Sequence, residues 1–129
     1  MAISTKLQYT TLTEILNDIN REGGFSITVL TDDNGLPLAA SQEKDDTSEV
    51  QSAVVAQVQK VVQRVHNHLD MAAPEEISLN DIHGKRLVCR SFITADNNVI
   101  LAVLIPSRDK SYRKLMNRAI REIHKIWDE

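Results

Sequence analysis

Aromatic side chains are scarce in this sequence, with one Trp, two Tyr and two Phe among 129 residues. A core made from it has to be aliphatic, and a module that stacks bases on aromatic rings is disfavoured. Cysteine is nearly absent as well. Cys89 stands alone, so no internal disulfide can form. The longest apolar run, Val99–Ile105, is seven residues, far short of the roughly 20 that a spanning helix needs. With no leader-like start, the chain reads as cytoplasmic, without membrane insertion. Glycine is sparse, and no GxxxxGK[ST] loop occurs, so the chain should not hold a nucleotide in the P-loop manner.

What is present fits one globular domain over residues 1–129, with a core at about 10–127. Apolar residues make up 42% of the chain and charged residues 26%, an ordinary balance. The net charge of −3 hides an asymmetry. Residues 1–70 hold ten acids and five bases, net −5, and residues 71–129 eight acids and ten bases, net +2. Residues 106–125 alone hold seven bases against two acids. The chain as a whole is no polyanion binder, and no nucleic-acid partner is expected.

The longest stretch free of Gly and Pro between two strand-like regions is 48–70, which reads as a helix of about six turns. Seven of its residues are Val, a mediocre helix former, so burial rather than propensity must hold it. Its apolar arc spans roughly 200°, whereas a helix on one sheet needs little more than 100°. The expectation is a helix with two neighbours. Val54, Val58, Val61 and Val65 would face the sheet, and Val55, Val62 and Leu69, at sevenfold spacing, would face a sister helix. Gln57, Lys60, Arg64 and His68 share the remaining polar side, left for a third protein.

The rest of the chain falls around that helix. Thr11 and Glu14 form a capping-box pattern, and Leu12, Ile15, Leu16 and Ile19 give a helix one apolar face up to Gly23-Gly24. Residues 25–31 alternate as a strand, Asn34-Gly35 marks a hairpin, and 36–41 is the return strand. Pro37 argues for a sheet edge, where a missing N–H matters least. Ser48 and Gln51 form a second capping-box pattern. Strands follow at 76–82, 85–93 and 99–105. The last has no polar alternation and reads as a central strand covered on both faces. Asp109 is placed to cap a final helix with one apolar arc through Tyr112, Leu115, Met116, Ala119, Ile120, Ile123, Ile126 and Trp127. Lys114, Arg118, Arg121 and Lys125 lie opposite. The fold class is therefore α+β: an antiparallel sheet with helices on both faces, in the order helix-strand-strand-helix-strand-strand-strand-helix.

In that order the chain resembles the Roadblock/dynein-light-chain family. Leu16 and Ile19 on the opening helix carry the likeness, with Gly23-Gly24-Phe25, Asp33-Asn34-Gly35 and Leu36-Pro37-Leu38-Ala39. The long second helix, Leu101-Ala102-Val103-Leu104 and the closing helix complete it. The resemblance implies a five-stranded antiparallel sheet, with the first and last helices on one face and the second on the other. It implies dimers, homodimers or heterodimers, built from the second helix and the adjacent edge strand at 76–82. On that strand Ile77 and Leu79 join Val55, Val62 and Leu69 as expected interface residues. It also implies a partner. Members similar to this chain regulate small Ras-like GTPases, scaffold them or attach cargo to dynein, and a bacterial homodimeric member stimulates GTP hydrolysis by a polarity GTPase.

No residue pattern argues for chemistry of the chain's own. His66 and His68 point about 200° apart on a helix and cannot share an ion. Cys89 reads as a buried thiol rather than a nucleophile. The acidic pairs at 45–46 and 75–76 lack a positioned partner. Arg64 would serve a GTPase in trans only if a partner seated it against nucleotide, and a regulator can equally order the GTPase's own switch segments. The expectation is a non-enzymatic homodimer that binds and regulates or scaffolds a small Ras-like GTPase, without cofactor or metal. The alternative is a small-molecule sensor or general dimerisation adaptor of related shape.

Overall fold

The computed structural model describes residues 5–41, 48–72 and 74–127, with backbone alone for 5–9 and 48–49. The elements in chain order are α1 (Thr5–Gly23), β1 (Ile27–Asp32), β2 (Pro37–Ala40), α2 (Ser48–Leu69), β3 (Glu76–Asn80), β4 (Arg86–Thr94), β5 (Asn97–Ile105) and α3 (Arg113–Trp127). The strands form one five-stranded sheet in the order β2-β1-β5-β4-β3, with every neighbouring pair antiparallel. The α+β class and the element order are those expected from the sequence.

β5 lies at the centre, and its apolar run is explained by cover on both faces. Val99, Leu101, Val103 and Ile105 meet α1 and α3, in a core with Leu12, Leu16, Ile19, Met116 and Ile123. Ile100 and Ala102 point the other way, toward Val55 on α2, with Ile27, Val29 and Cys89. Each alternate residue is buried, so polar alternation would leave unpaired polar groups inside. Pro37 opens β2, an edge strand, where its missing N–H breaks no ladder.

Two turns share one chemistry. In each, an Asp carbonyl accepts the N–H of a Gly three residues on, Gly35 to Asp32 at 3.1 Å and Gly84 to Asp81 at 3.2 Å. In each, the same Asp's Oδ1 accepts two further amides: Asn34 and Leu36 at 2.9 Å for Asp32, His83 at 2.9 Å and Lys85 at 2.8 Å for Asp81. Gly35 and Gly84 sit at φ 86° and 94°, which a side chain would strain. The Lys85 amide holds the Asp81 carboxyl below its ordinary 3.8, and the His83 amide and ring add to this. A depressed carboxyl contributes stability above its unfolded value, and that contribution is lost as pH falls through the folded value. Asp81→Asn should therefore lower the thermal midpoint at neutral pH, with the gap to the native chain closing on acidification below 3.8. Melts at both ends of that range check it, and a gap independent of pH would refute it.

Several boundaries move from their expected places. α1 begins at Thr5, so the Thr11–Glu14 pattern lies inside the helix; residues 5–10 hold no Gly or Pro to stop it. β1 begins at Ile27, because Phe25 is buried beside the end of α1, its amide donating to the Asn20 carbonyl at 3.0 Å. β3 stops at Asn80, and Ile82 is exposed in the Asp81 turn. β4 and β5 join through Ala95 and Asp96 alone, both left-handed at φ 49° and 62°, so β5 starts two residues earlier than expected. α3 starts at Arg113, one turn after Asp109. Asp109 accepts a hydrogen bond from Ser107, and the first helical bond runs from the Met116 amide to the Tyr112 carbonyl, at 2.9 Å. Gln51 does not close a capping box. Its side chain is buried, with Nε2 directed at the Ala102 carbonyl at 3.5 Å.

Candidate functional site

α2 and the end of the sheet beside it form the surface of interest. Residues 50–69 of α2 carry four of the nine large apolar side chains exposed among the described residues. The buried line of the helix is Val55 and Val62, 1% and 8% exposed, flanked by Gln51, Ser52 and the half-buried Val58. Val54, Val61 and Leu69 are 40%, 53% and 65% exposed, and Val50 is exposed too.

The expected division of the helix is therefore reversed for two of its pairs, while Val58 and Leu69 keep their expected places. Val55 and Val62, assigned from the sequence to a sister helix, are spent on the chain's own sheet. Val54 and Val61, assigned to the sheet, look outward; Val58 alone of that set packs against the sheet, and Val65 is half-buried. The reason is one close contact between distant residues. A Cβ added to Gly35 would come within 2.5 Å of the Ala56 Cβ and 2.9 Å of the Ser52 carbonyl oxygen. That close approach sets Ser52 and Ala56 against the β1–β2 turn and rolls the helix onto Val55. A 200° apolar arc has no unique centre, so periodicity alone could not fix the roll. The small residues Ser52 and Ala56 were the signal that could have.

Ala56 touches the β1–β2 turn, and Val54 and Val61 lie about 160° and 140° round the helix from it. They therefore flank the opposite side, toward the far half of the sheet. There the sheet is bare. Ile77 pairs with Cys89 and Leu79 with Leu87, and paired residues share a face, so both point to the α2 side. Ile77 is half-buried and Leu79 is 50% exposed. β3 closes this end of the sheet and, among the described residues, pairs only with β4. An exposed apolar flank, a bare sheet end and an unpaired edge thus adjoin.

Searches with the sequence find no protein-family profile and no curated protein that matches the chain. Solved structures do match in shape. An MglB described with a tetrameric arrangement superposes with a TM-score of 0.74 at 19% identity, over 94% of this chain and 90% of that one. MglB from Myxococcus xanthus gives 0.75 at 14% identity, over 92% and 95%. A Roadblock/LC7 domain from Streptomyces avermitilis gives 0.70 at 14%, over 88% and 94%. The chain has the Roadblock/LC7 fold.

On this Roadblock/LC7 fold, Gln57, Lys60, Arg64 and His68 are all exposed along the side of α2 turned away from the sheet. Among the described residues, no three His, Cys, Asp or Glu side chains are placed to hold one metal, and no helix is long and apolar enough to cross a membrane. The cavity beside Val62, Pro74 and Ile100 holds about 160 Å³, below the roughly 300 Å³ at which small-molecule pockets begin. Cys89 is buried on the α2 side of the sheet, and burial pushes its thiol up to about 12. A thiolate is the reactive form. Cys89 should resist a water-soluble disulfide reagent at pH near 8 and react once denaturant is added; brisk labelling of the native chain would contradict this placement.

Proposed function

We propose that this chain is a dimeric, non-enzymatic interaction module that binds and regulates a small Ras-like GTPase. The observation that carries the reading is the open apolar flank of α2 beside an uncovered sheet end and a free β3 edge. A second copy related by a two-fold axis satisfies all three at once. β3 would pair with its counterpart, extending the sheet and removing the aggregation-prone edge. Val54, Val61 and Leu69 would meet the sister helix above it, with Leu79 beneath. The interface keeps Leu69, Ile77 and Leu79 from the sequence reading and exchanges Val55 and Val62 for Val54 and Val61. The likeness to an MglB in tetrameric arrangement supports self-assembly.

In such a dimer the paired helices present Gln57, Lys60, Arg64 and His68 outward as a surface made of two copies. A GTPase seated there would be regulated by the ordering of its switch segments, since this chain brings no phosphate loop of its own. The test is retention of purified small GTPases, loaded with GDP or a GTP analogue, on the immobilised chain. Single-turnover GTP hydrolysis then separates an activator from a scaffold. If no GTPase is retained in either nucleotide state, the reading fails.

A further inference from the structure

A cavity of about 820 Å³ opens on the sheet face opposite α2, between the end of α1, the start of β4 and the segment leading into α3. Four cations line it, Arg86, Lys110, Arg113 and Lys114, against two carboxylates. Both carboxylates are engaged elsewhere: Glu22 accepts from Arg118, and Asp109 accepts from Ser107. Among the described residues none of the four cations forms an ion pair with a carboxylate; Asp109 acts on Lys110 through space, and Arg113 also borders the cleft that holds Glu75 and Glu76.

The site is held in place by Tyr112. Its ring is buried, and its hydroxyl donates to Glu76 Oε2 at 2.9 Å. The guanidinium carbons of Arg86 and Arg113 each lie 5.7 Å from its ring centroid, so one fixed ring gathers two guanidinium groups. Arg86 is anchored further by Nε, which donates to Asn80 Oδ1 at 2.6 Å and leaves its terminal nitrogens for another acceptor. α3 adds to the positive field. Its first turn carries no acid and begins Arg113-Lys114, two bases at the end of the helix dipole where acids are favoured. Like charges gathered this closely repel one another, and an anion among them would relieve the repulsion.

We infer that this cavity binds a phosphate group, with Arg86 and Arg113 as paired donors and Lys110 and Lys114 supplying charge. Two planar guanidinium forks match the oxygens of a phosphate, and the first-turn residues of α3, Arg113 to Leu115, line the same cavity, where the helix dipole favours an anion. A concave site with fixed forks favours a compact tetrahedral anion over the flat run of carboxylates on an acidic protein segment. The inference is independent of the GTPase reading, because it concerns the other face of the sheet.

The test is an amide and Arg side-chain NMR titration of the full chain with inorganic pyrophosphate at constant ionic strength, in a phosphate-free buffer. Saturable shifts at residues 113–115 and at the Arg86 and Arg113 side chains are expected. Arg113→Gln should weaken binding about tenfold, and Arg113→Lys, which keeps charge without the fork, should weaken it less. A second arm distinguishes the source of the phosphate. Arg113-dependent co-sedimentation with phosphatidylglycerol vesicles, but not with phosphatidylcholine alone, assigns it to a lipid headgroup; pyrophosphate binding without vesicle retention assigns it to a soluble ligand. The inference is overturned if neither probe binds, if Arg113→Gln binds as well as the native chain, or if an oligo-glutamate peptide binds as tightly as pyrophosphate.

Discussion

Val55→Glu unfolds this protein. Val55 is 1% exposed and lies among Ile27, Val29, Cys89, Ile100 and Ala102, which offer a carboxylate no cation and, as donor, only the weak thiol of Cys89. The new side chain would be buried unpaired, or would have to lift α2 off the sheet to reach water. Either way the loss is about 4 kcal/mol or more, against a total stability of about 5–15 kcal/mol for a typical domain. Urea unfolding followed by circular dichroism is the measurement. A variant with a native midpoint would mean that Val55 does not face the sheet. Val62→Glu, at the same line one and a half to two turns on, should behave alike.

Charge on the other flank should act on assembly instead. Val54→Glu with Val61→Glu leaves the fold intact, because both positions already meet solvent in the single chain. In a two-fold dimer each substitution enters twice, replacing apolar contact with opposed carboxylates. The dimer dissociation constant should rise about a hundredfold, from two lost apolar contacts and added repulsion. Light scattering or sedimentation reads the change, with circular dichroism as the control for folding. A native chain that is monomeric at tens of micromolar would refute the shared interface outright. A variant that unfolds would instead show that this flank belongs to the core.

The contrast between these two experiments follows from one rotation of α2, and that rotation divides what the sequence determined from what it did not. The element order was legible because each signal is local. Seven apolar residues between Asn98 and Pro106 read as a strand covered on both sides, Pro37 argues for an edge, and Asn34-Gly35 marks a hairpin. The Val-rich helix was legible as a helix for the same reason, and its arc, wider than one contact, is the ground for expecting a second neighbour. Which half of that arc meets the sheet is not a local property. It is set by the close approach of Gly35 to Ala56 and Ser52, between residues 17 to 21 positions apart, which permits the helix to settle on Val55 and Val58 with Val54 and Val61 outward. The cation cavity has the same origin. The basic excess of residues 106–125 was visible in the sequence, but Arg86 joins Arg113 about Tyr112 only because the sheet brings the start of β4 beside the entry to α3. Local sequence determined the elements. Contacts between distant elements decided which of their faces remain open.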